Sequence, residues 1–265
     1  MTIDADRAII IYCFTLLAIT GAAFGSFLNC AAYRIARGES FLSGRSRCPG
    51  CGHALGVLDL FPIFSWLLLR GKCRYCGQKI PVRYFLTECF FAAVTVLTAI
   101  RFGLTPEALR NWVFFCCLFC LSLVDLETKT IPDGCLIIPA AAWLVFAVFT
   151  GMGLKTAAVH AFSAFLSGGA ILLISLAMDA ALGRESMGGG DVKLYALTGL
   201  YLGPIGTLFA VIFSCLLGLV VFAVRNARGS KDAEIPFGPS IAAAAAFMLL
   251  FGEGIVTWYG RLLGF

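Results

Sequence analysis

Long apolar runs broken by short polar punctuation set the pattern of this chain. Runs near residues 8–33, 84–100, 111–126, 135–150, 157–178, 192–203, 204–224 and 239–259 approach the roughly 20 residues that an α-helix needs to cross a hydrocarbon core. The pattern therefore predicts about eight crossings. The sixth is short and reads through "YLGPIG" into the seventh, so residues 192–224 form either two crossings or one long, broken segment. The second alternative reverses the C-terminal end of the topology. One polar stretch, Arg34 to Arg83, is much longer than the others and predicts a single extramembrane excursion. Three parts follow: a first membrane helix over 1–33, the excursion over 34–83 and a membrane bundle over 84–265. Ala242 to Ala246 is a run of small residues that lets membrane helices approach closely.

Composition strengthens this picture. With 60% hydrophobic and 13% charged residues, the chain has more apolar side chain than one soluble core can cover. The fold class is an all-α polytopic membrane protein. Its net charge of +5 reads as topology and not as a nucleic-acid surface, because the basic residues are confined to a few connections. Arg34, Arg37, Arg45, Arg47, Arg70, Lys72, Arg74, Lys79 and Arg83 lie in the long excursion. Arg225, Arg228 and Lys231 follow the seventh run, and Lys129, Arg184 and Lys193 lie in the other connections on that side. Fifteen of the twenty basic residues thus share one side, which the positive-inside rule makes cytoplasmic. The first run does not read as a cleavable signal, since Asp4 and Asp6 interrupt its basic start and no small-residue cleavage site follows.

Within the excursion, Cys48-Pro-Gly-Cys51 and Cys73-Arg-Tyr-Cys76 form two C-x-x-C pairs. Each such turn presents two sulfurs on one side of a metal, and two turns complete a tetrahedron, so the spacing predicts a structural Zn²⁺ site. A disulfide pair is the plainer reading, but a cytoplasmic loop is reducing. A loop of this size buries little core, and a metal would supply folding free energy. His53 is close enough to substitute as a ligand, although four thiolates leave it no vacancy.

With His53 and His160 as the only histidines, acid–base chemistry falls to carboxylates or lysines. A carboxylate within the bilayer costs about 2.5–3.5 kcal/mol on insertion scales, which singles out Glu88, Asp125, Asp179 and Asp191. Asp179 reads as an interfacial charge. Asp125 ends "WVFFCCLFCLSLVD" and opens "DLETKTIPD", where Pro132 redirects the chain and Asp133 is placed to cap the next helix. Asp191 ends "MGGGD", after Gly188, Gly189 and Gly190. Singly, each reads as a helix-end acid or N-cap. The crossings that precede them run in the same direction, however, and deliver both to the cytoplasmic membrane edge. Two carboxylates sharing one proton there would perform aspartic-peptidase chemistry, and glycines leave room for an extended peptide. A transporter would place its acids nearer the bilayer midplane. A zinc-bearing scaffold has no use for paired aspartates. An intramembrane protease for other signal or anchor peptides remains an alternative.

Taken together, "GSFLNCAAYRIARGES", the paired C-x-x-C, "SWLLLRGKCRYCGQKIPVRYFLTE", "DLETKTIPD", "MGGGDVKL" and "PFGPS" resemble the bacterial type IV prepilin peptidase family, from Gly25 to about Ser240. The resemblance implies an inner-membrane aspartic endopeptidase that removes the basic leader of type IV prepilins or pseudopilins after a glycine. It also implies methylation of the new N-terminal amine with S-adenosylmethionine. Asp125 and Asp191 fall on the family's catalytic aspartates, with Pro132, Asp133 and Gly188–Gly190 completing its two motifs. Lys193 and "PFGP", Pro236, Phe237, Gly238 and Pro239, join the active-site loops by the same likeness, while Gly71, Lys72 and Glu88 match the methyl-transfer half. Glu127, Asp133 and Glu185 would attract a basic leader. Partners are then prepilins and membrane lipid, with no nucleic acid; the oligomeric state is open.

Overall fold

The computed structural model describes residues 2–41, 44–48, 50–183, 187–228 and 235–264; Arg184, Glu185 and Lys231 lie outside them. Among the described residues the regular structure is helical, with only two isolated β-bridges, both in the excursion. The chain divides into two compact units, 1–104 and 105–265.

The first unit contains α1 (Thr2–Ile35), a 3₁₀ turn (Val57–Asp59), α2 (Phe64–Leu68) and α3 (Val82–Phe102). Helices α1 and α3 pack antiparallel on a seam of small residues. A Cβ added at Gly21 would stand 2.5 Å from Thr95 Oγ1, and one at Gly25 would stand 2.9 Å from Phe91 Cβ. Absent side chains therefore set the approach of the two backbones. Asn29 Nδ2 donates to Thr87 Oγ1 at 3.1 Å across the same seam. This packing places α3 with α1, whereas the hydrophobic pattern had assigned it to the bundle of 84–265.

The second unit contains α4 (Pro106–Thr128), α5 (Gly134–Phe149), α6 (Leu154–Leu182), α7 (Gly189–Ala227), α8 (Gly238–Phe251) and α9 (Glu253–Leu262). Thr105 caps α4 by accepting the Ala108 N–H at 3.1 Å, and Lys129 ends it in the left-handed region at φ 56°. Helix α7 has two arms meeting at Gly203 (φ 67°), where Pro204 supplies no N–H to continue the ladder. The stretch 192–224 is thus interrupted at Gly203, with two helical arms meeting at a kink. Tight glycine contacts join α6 to α7: a Cβ at Gly168 would lie 2.8 Å from Ala196 Cβ, and one at Gly199 2.7 Å from the Ser163 carbonyl.

Among the described residues five helices, α1, α3, α4, α6 and α7, are long and apolar enough to cross a membrane. Helices α8 and α9 qualify only as a pair, bent by 79°, where the pattern predicted one straight run over 239–259. The bend falls where Gly252 and Gly254 flank Glu253, a helix-poor sequence. Helix α5 has 16 residues, about 24 Å of helix, and is shorter than a full crossing. By length and composition the described residues thus offer five crossings, or six with the bent pair, with the two arms of α7 taken as one, beside the eight apolar runs of the sequence.

One buried charge steadies the end of the bundle opposite Asp125 on α4. Arg110, 8% exposed, donates to Asn111 Oδ1 at 2.8 Å and reaches Glu107. Its guanidinium lies over the Phe146 and Tyr201 rings. Tyr201 in turn stacks on Phe114 and donates to the Pro139 carbonyl at 2.8 Å. His160 accepts the plain structural role, with Nδ1 2.9 Å from the Leu200 carbonyl oxygen.

Gly25→Leu is expected to destabilise the first unit by about 1–3 kcal/mol through overpacking against α3. Thermal unfolding in detergent checks this, and Gly169→Leu, where an added Cβ meets open space, should change the midpoint much less.

Candidate active site and metal centre

Asp125 sits three residues from the end of α4 and is 4% exposed. Its Oδ2 accepts the backbone N–H of Gly238, the first residue of α8, at 2.9 Å. That donor is free because the first N–H groups of a helix have no partner within it. A Cβ at position 238 would lie 2.8 Å from the same oxygen, so glycine is what allows the backbone this close. The preceding residue is fixed from the other side: the Phe237 ring fills the space over Gly218 of α7, where a Cβ would meet it at 2.4 Å. Pro236 is buried and Pro239 occupies the first turn of α8. "PFGP" is therefore the joint through which α8 is held to α4 and α7.

Asp191 lies in the first turn of α7, after Gly188 as the cap residue, and is half-buried. It feels the charge of Asp125. The two motifs touch through Gly190, where a Cβ would come within 2.9 Å of Ile131. The glycine run thus packs on the "TIPD" turn and brings Asp191 towards the end of α4. Asp133 occupies the cap position of α5 but makes no side-chain cap. Its Oδ1 accepts a hydrogen bond from Lys193 Nζ at 2.7 Å instead, in an exposed ion pair. Lys193 therefore answers Asp133. The Gly238 N–H escaped sequence reasoning as a donor, since only "PFGPS" marked its position.

The cysteines form two matching knuckles. Cys48 N–H donates to the His53 carbonyl and Gly52 N–H to the Cys48 carbonyl; Cys73 with Gln78, and Gly77 with Cys73, repeat these bonds. Gly52 and Gly77 adopt φ 70° and 72°, a conformation glycine takes without a steric penalty. The four Sγ atoms lie within 4.8 Å of one another, and Cys48 and Cys76 are 3.8 Å apart. A tetrahedral ion with sulfur at about 2.3 Å requires edges of about 3.8 Å, so the set fits a metal ion. The N–H groups of Cys51 and Gly50 hold the Cys48 thiol down to about 6, favouring the thiolate that a metal needs. His53 is not a ligand: its ring lies against Tyr75, tilted by 33° with centroids 3.7 Å apart, and ties the knuckles together. Asp59 adds a second tie, accepting from Gly56 N–H and Tyr75 OH and pairing with Arg74 at 2.8 Å. The Gly56 N–H foremost, with Tyr75 and Arg74, holds its carboxyl below the usual range.

Between these knuckles and the helix ends lies a cavity of about 490 Å³, with Tyr33, Trp66, Tyr84, Glu39 and Glu88 in its walls. Glu88 is the only one of the three methyl-transfer candidates that lines it. Gly71 sits behind it at φ 66°, where a Cβ would stand 2.8 Å from the Trp66 indole; Trp66 stacks on Phe85. Lys72 is exposed and bridges to Lys79.

Two aspartates at helix ends in a membrane bundle, in a chain that also carries a separate four-thiol loop, fit the class of multi-pass aspartic membrane peptidases. Residues 19–102 match the Bacterial Peptidase A24 N-terminal domain, and residues 112–223 match the Type IV leader peptidase family. A prepilin leader peptidase/N-methyltransferase of Bacillus subtilis is 34% identical over 94% of this chain and 98% of its own length. Proteins of the same name from Pseudomonas putida and Aeromonas hydrophila are 32% and 35% identical, covering 96% and 81% of this chain and 96% and 74% of their own lengths. No solved structure matches. The chain belongs to the type IV leader peptidase family.

The thiol site generates a direct expectation. The purified protein should bind one equivalent of a thiophilic divalent ion, and Cys73→Ser should lower that content, measured by atomic emission. Chelation should release protection from hydrogen exchange over residues 46–80 while α4 to α8 keep theirs.

Proposed function

We propose that this protein is a bifunctional prepilin peptidase of the bacterial inner membrane. It cleaves the basic leader of type IV prepilins or pseudopilins after a glycine at the cytoplasmic face, and methylates the exposed amine with S-adenosylmethionine. The observation that carries the reading is the convergence of Asp125, Asp191 and the Gly238 N–H at one place in a membrane bundle. The concentration of basic residues in the excursion and its neighbouring connections supports a cytoplasmic position for that edge.

In this reading Asp125 and Asp191 share one proton. The ionised carboxylate takes a proton from water as the oxygen attacks the scissile carbonyl, and the protonated partner hydrogen-bonds the forming oxyanion. The C–N bond then breaks, and the leaving amine takes up a proton from the pair. The Gly238 N–H fixes Oδ2 of Asp125 and so directs its other oxygen to the reaction. Gly188 and Gly189 keep the approach clear, since a Cβ at 189 meets nothing within 4 Å. Prepilins fit a site at this depth because their leader is polar and the following segment apolar.

The four thiolates of Cys48, Cys51, Cys73 and Cys76 hold structural Zn²⁺ in this account, closing its coordination and leaving it no catalytic position. The cavity of about 490 Å³ has the size of a small-molecule site, and its walls combine the rings of Tyr33, Trp66 and Tyr84 with the acids Glu39, Asp59 and Glu88 and the bases Arg34, Arg45, Arg47 and Lys79, a mixed lining that suits a ligand carrying both a cationic centre and a carboxylate. S-adenosylmethionine would supply an electrophilic methyl group there, while Glu88 and Glu39 would hold the substrate ammonium and receive its proton. Gly71 positions Trp66 in that wall.

Cleavage of a prepilin peptide in lipid vesicles tests the peptidase. Asp125→Asn and Asp191→Asn should each lower kcat by at least about 10²-fold, with metal content unchanged; normal turnover in either would exclude the two-aspartate mechanism. Gly238→Ala should reduce kcat more than it raises KM, because the added methyl displaces Asp125 without touching the substrate helix.

A further inference from the structure

The excursion contains one apolar stretch, "VLDLFPIFSWLLL", Val57 to Leu69, of which the metal site uses Asp59 and the cavity wall Trp66, and whose other apolar residues neither the peptidase nor the metal site employs. In water this stretch would be costly. Val57 is 83% exposed, Leu58 73% and Leu68 82%, and Phe61, Phe64 and Leu67 are also exposed. Apolar surface gathered so densely marks an interaction site.

Its neighbours set its depth. The Ile63 N–H donates to Glu88 Oε2 at 2.7 Å, and Glu88 lies six residues beyond the start of the membrane-crossing helix α3 at Val82, about 9 Å along it. Gly25 of α1, which faces Glu88, is ten residues before the end of α1 at Ile35, about 15 Å from it. Phe61 to Phe64 wall an apolar groove of about 510 Å³ whose opposite wall is α1 from Ile10 to Ala22. Those residues belong to a crossing helix. The turn therefore shares the depth of the hydrocarbon core.

We propose that Leu60–Leu68 is a membrane-dipping turn whose apolar side chains are covered by lipid acyl chains, with Glu88 as the positioning residue that holds it. Non-helical backbone at membrane depth persists only where its polar groups find partners. At the tip, Ile63 adopts φ 65°, a region that β-branched residues rarely enter, and its N–H points at the one carboxylate on this face of α3. The return through α2 carries its own N–H groups within the turn: Leu67 to Ile63, and Leu69 to Ser65. The chain that follows it carries Arg70, Lys72, Lys79 and Arg83, basic residues suited to lipid phosphates. The lipid is identified by continuity: the groove is walled by α1, and the bilayer around α1 is the surface the turn meets. This inference does not depend on the activity proposed above.

Photocrosslinking in phosphatidylethanolamine/phosphatidylglycerol vesicles tests it, with benzoylphenylalanine placed singly at Phe61, Phe64, Leu97 or Tyr75. Leu97 is an exposed residue of α3, and Tyr75 lies on a knuckle. Mass spectrometry should find phospholipid adducts at 61 and 64 with yields like that at 97, and several-fold lower yield at 75. Yields at 61 and 64 no higher than at 75 would overturn the proposal, as would crosslinks to a second copy of the chain or to another protein. Glu88→Leu should abolish the adduct at 64 while that at 97 persists, and Glu88→Gln, which keeps an acceptor oxygen, should retain both. An undiminished adduct at 64 in Glu88→Leu would remove Glu88 from the role.

Discussion

Inside a bilayer a polar group has no water to turn to, and each one must be answered within the protein. The architecture follows from that constraint at several points. Asp125 is answered by the Gly238 N–H, which fixes where α8 begins. Glu88 is answered by the Ile63 N–H, which brings the excursion back against α3. Tyr195 and Ser214 join the two arms of α7 by a hydroxyl pair at 2.6 Å, and Tyr201 closes on the Pro139 carbonyl of α5. In each case a costly group has become a tie between elements. Asp125 and Glu88 are held by backbone donors at helix starts, which have no other use inside their helices.

Those ties operate only because backbones approach closely. Glycine provides the approach on both sides of the candidate site: Gly238 against Asp125, Gly218 against Phe237, and Gly190 against Ile131. The same device packs α1 on α3 and α6 on α7. In lipid, where apolar side chains gain little by meeting one another, such close contact is a main source of helix association. Glycines in the motifs and glycines in the packing seams are thus one solution to one problem. They differ in whether the neighbour is a carboxylate or a hydrocarbon.

The excursion meets a different difficulty, too few residues for a core. Two knuckles bring four thiols within 4.8 Å, and His53 on Tyr75 and Asp59 on Arg74 brace them. The remaining apolar residues of the loop are turned towards the membrane helices and not into an interior of its own. A loop that reads as one polar segment is in this way split between a head gathered around four thiols and an apolar turn.

Much of this was legible in the chain because local chemistry dictates it. Two C-x-x-C pairs make knuckles wherever they occur, apolar runs of sufficient length become membrane helices, and Pro132, Pro204 and the glycine run must interrupt them. Spacing alone therefore determined the helical membrane class, the thiol site and the acids worth attention. Tertiary structure decided the rest. Hydropathy does not register a bend such as that at Gly252, so 239–259 appeared straight. It also averages a short apolar turn into the polar excursion around it, which hid Phe61 to Phe64. Asp133 had the position of a cap, but Lys193, 60 residues away, competed successfully for its oxygen. His53 had the spacing of a ligand, but Tyr75 claimed its ring. Partners distant in sequence set these outcomes, because a side chain's role depends on what the folded chain brings within its reach.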